Sequence, residues 1–522
     1  MFAERRNALA FWLGSAVVAI GVLLHLPMFW MARDMGFMLA GMPMDAGMLW
    51  GMALIVAGIG LAGYGLLPKG ADTTAPLEAL APPENAPLTR AHWAVMAVLA
   101  VALIIDIMKP ASLGFVTPGM RVEYDVDAAT VALLPLSALI GTVVGSFVWG
   151  ALADLYGRRA AILLSSVMFI GTSICGAMPS FWWNVVMCFL MGAAAGGMLP
   201  VTYALLAEIM PTRHRGWCLV IVGGAGAVGG ALASSWLSAL LQPFFGWRIM
   251  WFLNFPTGLI LIALSPLIPE SARFLQQMGR ASEARIVLAR FGAVVATTPD
   301  RDDPNSDTAA DHSPLPPRVP GNVGTTIALT LAALAWGFVN FGVLLWLPGS
   351  LVAEGRSMGL ASAIIAKSTL FAAPAIVVVA WLYRVWSTKW SLVTMITITT
   401  LGLLALLLRG TEALSILSNP ILSLALLMVG STGVISILLP YTAENYPIKV
   451  RGRATGWVAG SSKLGGLIAQ SLSVLALVPA LDISAMSTAL PAALSLLLIA
   501  ILGRETRNRD LRELEATSTK FG

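Results

Sequence analysis

With 522 residues, 57% of them hydrophobic and only 11% charged, and a mean hydropathy of +0.82, the chain has too little polar surface to coat a water-soluble globule, so it belongs in a bilayer. Its net charge of +5 is shared among short loops between apolar runs, which speaks of membrane orientation and not of nucleic acid. Cys175, Cys188 and Cys218 lie in or beside predicted spans without metal-ligand spacing, which argues against a disulfide framework.

Apolar runs of roughly twenty residues, enough to cross the hydrocarbon core at about 1.5 Å per residue, recur about fourteen times. They begin near Ala8, Ala46, Ala91, Ala129, Arg159, Phe181, Trp217, Trp247, Thr325, Leu360, Trp390, Ala413, Ala454 and Ser484. The first, FWLGSAVVAIGVLL, follows Arg5 and Arg6. It is too long for the apolar core of a signal peptide, no small-residue cleavage site follows it, and a second span comes straight after, so it is read as a retained helix. The first two runs form an added hairpin, residues 1–70. Its turn gathers Met28, Met31, Met35, Met38, Met42, Met44, Met48 and Met52 just after His25. Thioethers suit Cu(I), which makes Met28, Met31, Met35 and Met38 the metal candidates. The 3-4-3-4 spacing of the first five is also that of one packed helical face, and packing is the preferred reading, with no metal and no cofactor.

After a Pro- and Ala-rich tether (71–90), the third run reads AHWAVMAVLAVALIIDIMKPASLGF. Asp106 sits about two-thirds of the way across, with Lys109 one turn later. At i, i+3 the two share a face and can pair, whereas alone each costs at least ~2.5 kcal/mol near the bilayer centre. Asp106 is expected to carry a coupling proton, with Lys109 as its internal counter-ion. The alternative is a structural pair near the outer interface with Lys109 snorkelling.

The next loop, GALADLYGRRAAILL, combines Asp154, a glycine reversal at Gly157 and the paired Arg158 and Arg159, the makings of an ion-pair latch. Farther on, AEIMPTRHRG (Ala207 to Gly216) returns as AENYPIKVRG (Ala443 to Gly452). In each copy a glutamate (Glu208, Glu444) closes a helix, a proline (Pro211, Pro447) stops it and an arginine (Arg215, Arg451) opens the next. The equal context predicts two homologous six-helix halves, 91–268 and 323–503. Between them, 269–322 comprises an amphipathic helix over 269–291 and an acidic, proline-broken loop (297–318) predicted to be disordered. Lys and Arg concentrate in loops after even-numbered runs, so those loops, both termini and the 504–522 tail are expected on the cytoplasmic side.

Gly150, Asp154, Gly157, Arg158 and Arg159 match, position for position, the G-x-x-x-D-x-x-G-R-[RK] loop of the major facilitator superfamily, which the chain resembles over 91–515. Pro269, Glu270, Ser271 and Arg273, Gly279, Arg280, Glu283 and Ala284, and the tail ETRNRDLRELE are similar to its sugar-porter and organic-ion branches, aromatic-acid–proton symporters among them. The resemblance implies an all-α fold of twelve core helices in two pseudo-symmetric bundles, here with two additional N-terminal helices. It also implies a gating role for Gly150, Asp154, Gly157, Arg158, Arg159, Glu208, Arg215, Glu444 and Arg451; the plainer reading is that these arginines only enforce topology. The corresponding loop of the second half, LYRVWSTKWS, lacks the Asp and Gly and is read as a degenerate latch. G-x-x-x-G pairs at Gly141 and Gly145, Gly192 and Gly196, Gly226 and Gly230, and Gly456 and Gly460 allow close helix approach. By the resemblance, the first and last of these fall on helices lining the moving interface.

Departures from the sugar-porter pattern narrow the substrate. The core helix 5 segment WCLVIVGGAGAVGGALASSW has no glutamine, and core helix 7 offers Asn340 but no Gln-Gln pair, which is too apolar for a hexose. Core helix 11, ATGWVAGSSKLGGLIAQSL, places Lys463 among Ser461, Ser462, Gly465 and Gly466, with Gln470 beyond. The organic-acid branches imply a substrate carboxylate at such a lysine; snorkelling is the alternative. The arginine that many relatives carry in core helix 4 is replaced by Met187-Cys188. The expectation is a monomeric, proton-coupled secondary transporter in the plasma (inner) membrane, moving a small organic solute, with an organic anion preferred over a sugar or polyol. A transporter-like receptor or Cu(I)-handling protein built on the hairpin is the reading from a different class. An enzyme is disfavoured, because no His/Glu metal pair, serine elbow or phosphate loop occurs.

Overall fold

The computed structural model describes residues 5–66, 87–292, 323–407, 420–446, 448–476 and 481–507. Most of the predicted tether, the whole 297–318 loop and the tail beyond residue 507 lie outside the described residues.

Thirteen helices are long and apolar enough to cross a membrane: α1 (Arg5–Met35), α2 (Ala46–Leu66), α3 (Arg90–Glu123), α4 (Ala128–Tyr156), α5 (Arg158–Ala177), α6 (Phe181–Ile209), α7 (Arg213–Phe245), α8 (Ile249–Leu267), α9 (Val323–Ala353), α10 (Met358–Val385), α11 (Thr388–Leu407), α12 (Ile421–Asn445) and α14 (Ser484–Leu502). The remaining predicted run is α13 (Ile448–Val474), a 27-residue helix made more polar by its lysines, serines and Gln470.

The helices after the hairpin fall into two sets with matching neighbours. In the first set α3 packs on α7, α4 on α6 and α5 on α8; in the second α9 packs on α13, α10 on α12 and α11 on α14. Between sets, α7 lies against α10 and α12, α3 against α9, and α4 against α13. The close approaches within the first set use the predicted glycines. A Cβ at Gly141 would lie 2.1 Å from the Phe189 carbonyl oxygen, and one at Gly230 2.8 Å from Ile107. Gly141 and Gly145 therefore seat α4 on α6, inside one half, and not on the seam between the halves. Gly456 and Gly460 correct the expectation more sharply, because a Cβ at either would meet nothing within 4 Å. The α4–α13 seam has parted at the end carrying Asp154, where Gly150 also faces open space. Toward the other end it is shut: α13 touches the first turn of α4, and Gly114 of α3 packs on the Leu345 carbonyl of α9.

The hairpin is joined by glycines seven apart, Gly14 and Gly21 against Gly51, Gly58 and Gly65, with a Cβ at Gly58 only 2.7 Å from the Gly14 carbonyl oxygen. Small residues at this spacing let two backbones in lipid run in contact over several turns. The pair leans on α5, where Gly171 meets Ile55 and Val18. The predicted amphipathic helix is two helices, Ala272–Gln277 and Ala281–Arg290, because Gly279 turns the chain with φ +68°. Phe274, Leu275, Leu288 and Phe291 bury its apolar face.

Candidate functional site

At the Asp154 end the first half closes a network around the N-terminus of α5. Gly157 reverses the chain at φ +99°, and the Glu270 carboxylate occupies the space its side chain would fill, 2.5 Å from a built Cβ. Glu270 accepts from the backbone N–H of Arg159 at 3.3 Å and of Ser271 at 2.9 Å. An anion placed on a helix N-terminus satisfies donors that have no partner within the helix. Burial nevertheless wins over those donors and holds the Glu270 carboxyl above its ordinary value. Arg158 sits between Asp154 (3.1 Å) and Glu208 (3.4 Å), Ser271 Oγ donates to Glu208, and Arg159 reaches the Ser265 carbonyl at 2.6 Å. The Asp154 side chain stays 75% exposed on the parted seam.

The second-half loop lacks the Asp and Gly of the first, but its carboxylate cap is rebuilt with hydroxyls. Glu505 accepts from Ser387 Oγ and from Thr388 N (3.0 Å) and Oγ1 (2.7 Å) at the start of α11, as Glu270 does at the start of α5. Thr506 donates to Glu444 at 2.8 Å, as Ser271 does to Glu208. Burial acts to raise the Glu505 carboxyl, but these hydrogen bonds outweigh it and hold the group below its ordinary value. Of the other predicted gating residues, Arg215 is half-buried at the start of α7, and the side chain of Arg451 lies outside the described residues.

Midway along the seam the predicted charges gather, though not as the spacing suggested. Asp106 and Lys109 form no ion pair with each other among the described residues. Lys109, 1% exposed, turns its ammonium onto the Phe169 ring of α5, 2.9 Å from the centroid. Helical spacing puts two residues on one face, but long side chains choose their own direction, and the apolar cage around Lys109 rules out snorkelling as well. Asp106 Oδ1 and Lys109 Nζ are buried without hydrogen-bond partners. Asp106 does interact electrostatically with both Lys109 and Lys463. Lys463 does not snorkel either: from α13 it crosses the seam and donates to Ser146 Oγ and, at 3.4 Å, to the Thr142 carbonyl of α4. Asn340 lies half-buried in a π-helical turn of α9, Val339–Val343, with no side-chain hydrogen bond among the described residues. Gln470, the other expected substrate ligand, donates its Nε2 to the Phe341 carbonyl of that turn, while its Oε1 has no hydrogen-bond partner.

A model of the Major Facilitator Superfamily matches residues 95–470. The chain belongs to that superfamily. Among similar superfamily proteins are a niacin transporter of Acinetobacter baylyi, 24% identical over 83% of this chain and 98% of its own length, and a putative niacin/nicotinamide transporter of Bacillus subtilis, 25% identical over 80% and 97%. A 4-hydroxybenzoate transporter of Pseudomonas putida is 28% identical over 73% and 85%. In fold, the chain is similar to the xylose transporter of E. coli in a partially occluded inward-open conformation, with a TM-score of 0.65 at 17% identity over 81% of this chain and 100% of that one. This superfamily member is thus a multi-pass membrane transporter with twelve core helices and a hairpin that precedes the family match.

One cluster escaped the sequence reading. Glu123 at the end of α3 and Arg248 at the start of α8 form a buried ion pair at 2.6 Å. Arg248 also donates to the Gly176 and Met178 carbonyls and to Tyr124 Oη, while Glu123 accepts from Trp247 Nε1 and from Leu39 N and Ala40 N in the hairpin turn. The signal was weak: Arg248 precedes one span, and Glu123 ends another among Arg121, Asp125 and Asp127. The hairpin methionines divide: Met28 is packed in the apolar core, whereas Met31, Met35 and Met38 are exposed. Of the five methionines at that spacing, Met28 is buried and Met42 packs against the same cluster, whereas the three between them do not. The three cysteines are free and buried.

Proposed function

We propose that this transporter moves a small organic anion, with an aromatic or heteroaromatic monocarboxylate as the best fit, by proton-coupled alternating access. The observation that carries the reading is the charge balance around Asp106, a single carboxylate that interacts with two cations, the buried Lys109 and the half-buried Lys463. The cations rest on neutral partners: a phenyl ring for Lys109, and a hydroxyl and a carbonyl for Lys463. A substrate carboxylate offers Lys463 a charge-assisted hydrogen bond, roughly twice as strong as a neutral one. Taking it releases Ser146 and Thr142, so substrate binding loosens one tie between the halves. Protonation of Asp106 leaves the two cations to hold the anion, and deprotonation restores a competing internal anion. This links acidity to affinity.

The names of the relatives support the substrate class, since niacin, benzoate and 4-hydroxybenzoate are all aromatic acids or their amides. In this reading the Asp154 end faces the cytoplasm, the open side of the seam. The test is uptake of radiolabelled benzoate and nicotinate by proteoliposomes under an inward proton gradient, with xylose as the comparison. Gradient-dependent, uncoupler-sensitive uptake of an acid is expected. Uptake of xylose with neither acid transported would overturn the proposal.

A further inference from the structure

Helix α9 is α-helical over Val323–Phe338 and again from Leu344 to Ala353, with the π-helical turn Val339–Val343 between them. A π-turn inserts a residue, widens the helix and leaves a backbone carbonyl without its usual N–H partner, so it survives only where something outside the helix compensates. Here the compensation comes from α13. Gln470, fully buried, donates Nε2 to the Phe341 carbonyl. Gly466 makes room for the Phe341 ring, and Gly342 lies against Ala469, whose Cβ is 3.2 Å from a built Cβ. Gln470 Oε1 is left buried and without a partner, so the residue is kept at a cost, for its N–H.

The ring contacts along α9 report the same register. Trp336 meets Phe341 edge-on at 5.9 Å between centroids. Residues five apart diverge around an α-helix but stand one above the other across an i→i+5 turn. Reverting to α-register would rotate everything beyond the turn by about 100° relative to what precedes it.

We propose that Gln470 is a positioning residue: it holds α9 in its π-register and thereby sets the direction of Asn340, whose amide is free for substrate. This departs from a direct-contact role for Gln470 and rests on the proposed transport site only for its second readout below.

The first readout needs no substrate. In the full-length purified protein, Asn340→Cys is labelled with a hydrophilic maleimide, the three native cysteines being buried. Replacing Gln470 by Met removes the donor and should change the labelling rate at position 340 by about tenfold or more, the effect of stranding one buried carbonyl. Gln470→Asn, polar but too short to reach Phe341, should do the same and serves if the Met variant fails to give a monodisperse protein. Labelling within twofold of the parent in a variant that folds would overturn the proposal. The second readout is uptake of benzoate and nicotinate, where a positioning role predicts a raised KM together with altered discrimination between the two acids. If the wild type takes up neither acid, the transport proposal fails while the labelling result still decides the role of Gln470.

Discussion

A desolvated lysine without a carboxylate in hydrogen-bond reach settles on whatever neutral acceptor or ring is near, and both the buried Lys109 and the half-buried Lys463 do so. That choice leaves Asp106 uncommitted, which suits a group that must gain and lose a proton. Asp106→Asn should abolish uptake driven by a proton gradient while preserving substrate counterflow; proteoliposome assays of both modes check this, and gradient-driven uptake at wild-type rates would remove the coupling role. Lys463→Gln keeps a donor for Ser146 but loses the charge, worth about 1.5–3 kcal/mol in a hydrogen bond to an anion, so KM for an acid should rise by at least about tenfold. The latch glutamates titrate in opposite senses. Glu505 is held below its ordinary value, so the stability it lends is present above pH 4.5, its unfolded value, and is lost as pH falls through the lower folded one. Glu270 is held above 4.5, so its contribution is most favourable in acid and is lost as pH rises through the raised folded value. In thermal melts across pH, Glu505→Gln should flatten the acid side and Glu270→Gln the side above pH 4.5. The residue types at these sites were readable in the sequence. Their pairing was not, because i, i+3 spacing fixes a shared face and says nothing of the ring or carbonyl contributed by another helix.

Among the elements, the spans and their order follow from apolar runs of bilayer length, which is why fourteen expected helices meet thirteen apolar ones and the more polar α13. A spacing of four does not reveal the hairpin contact, because Gly51, Gly58 and Gly65 repeat at seven and lie nearly in line along one face. Gly58→Val would force a branched side chain against the Gly14 carbonyl and Val18; overpacking of this kind costs typically about 1–3 kcal/mol. The expected result is a lowered melting temperature and new protease sensitivity confined to residues 5–66; an unchanged melt would mean that the hairpin does not depend on this contact. The π-turn of α9 left no mark in the sequence, since it is created by a partner 130 residues downstream, and the 130-residue gap between Asn340 and Gln470 carries no period. The second half keeps part of the first half's arrangement without its Asp and Gly: Ser387 and Thr388 donate to Glu505, and Thr506 donates to Glu444 as Ser271 does to Glu208.

For the whole molecule, the seam is shut at Gly114 and at the first turn of α4, and parted at Asp154, Gly456 and Gly460. If the halves rock, that end must also close. Spin labels at Leu155 and Trp457, both exposed on the parted side, should give a shorter distance population whose share shifts when substrate or pH changes. A single distance, unchanged by either, would mean that the bundles do not move. The doubled decapeptide, the Asp154-to-Arg159 loop and the run of apolar segments by themselves determined the class, the repeat and the family, because bilayer thickness and duplicated architecture write directly into composition and spacing. Which charges meet, which glycines touch and which glutamine serves a backbone carbonyl were decided only in the folded protein. Those contacts join helices distant in sequence, and their energies depend on direction and burial that no linear pattern encodes.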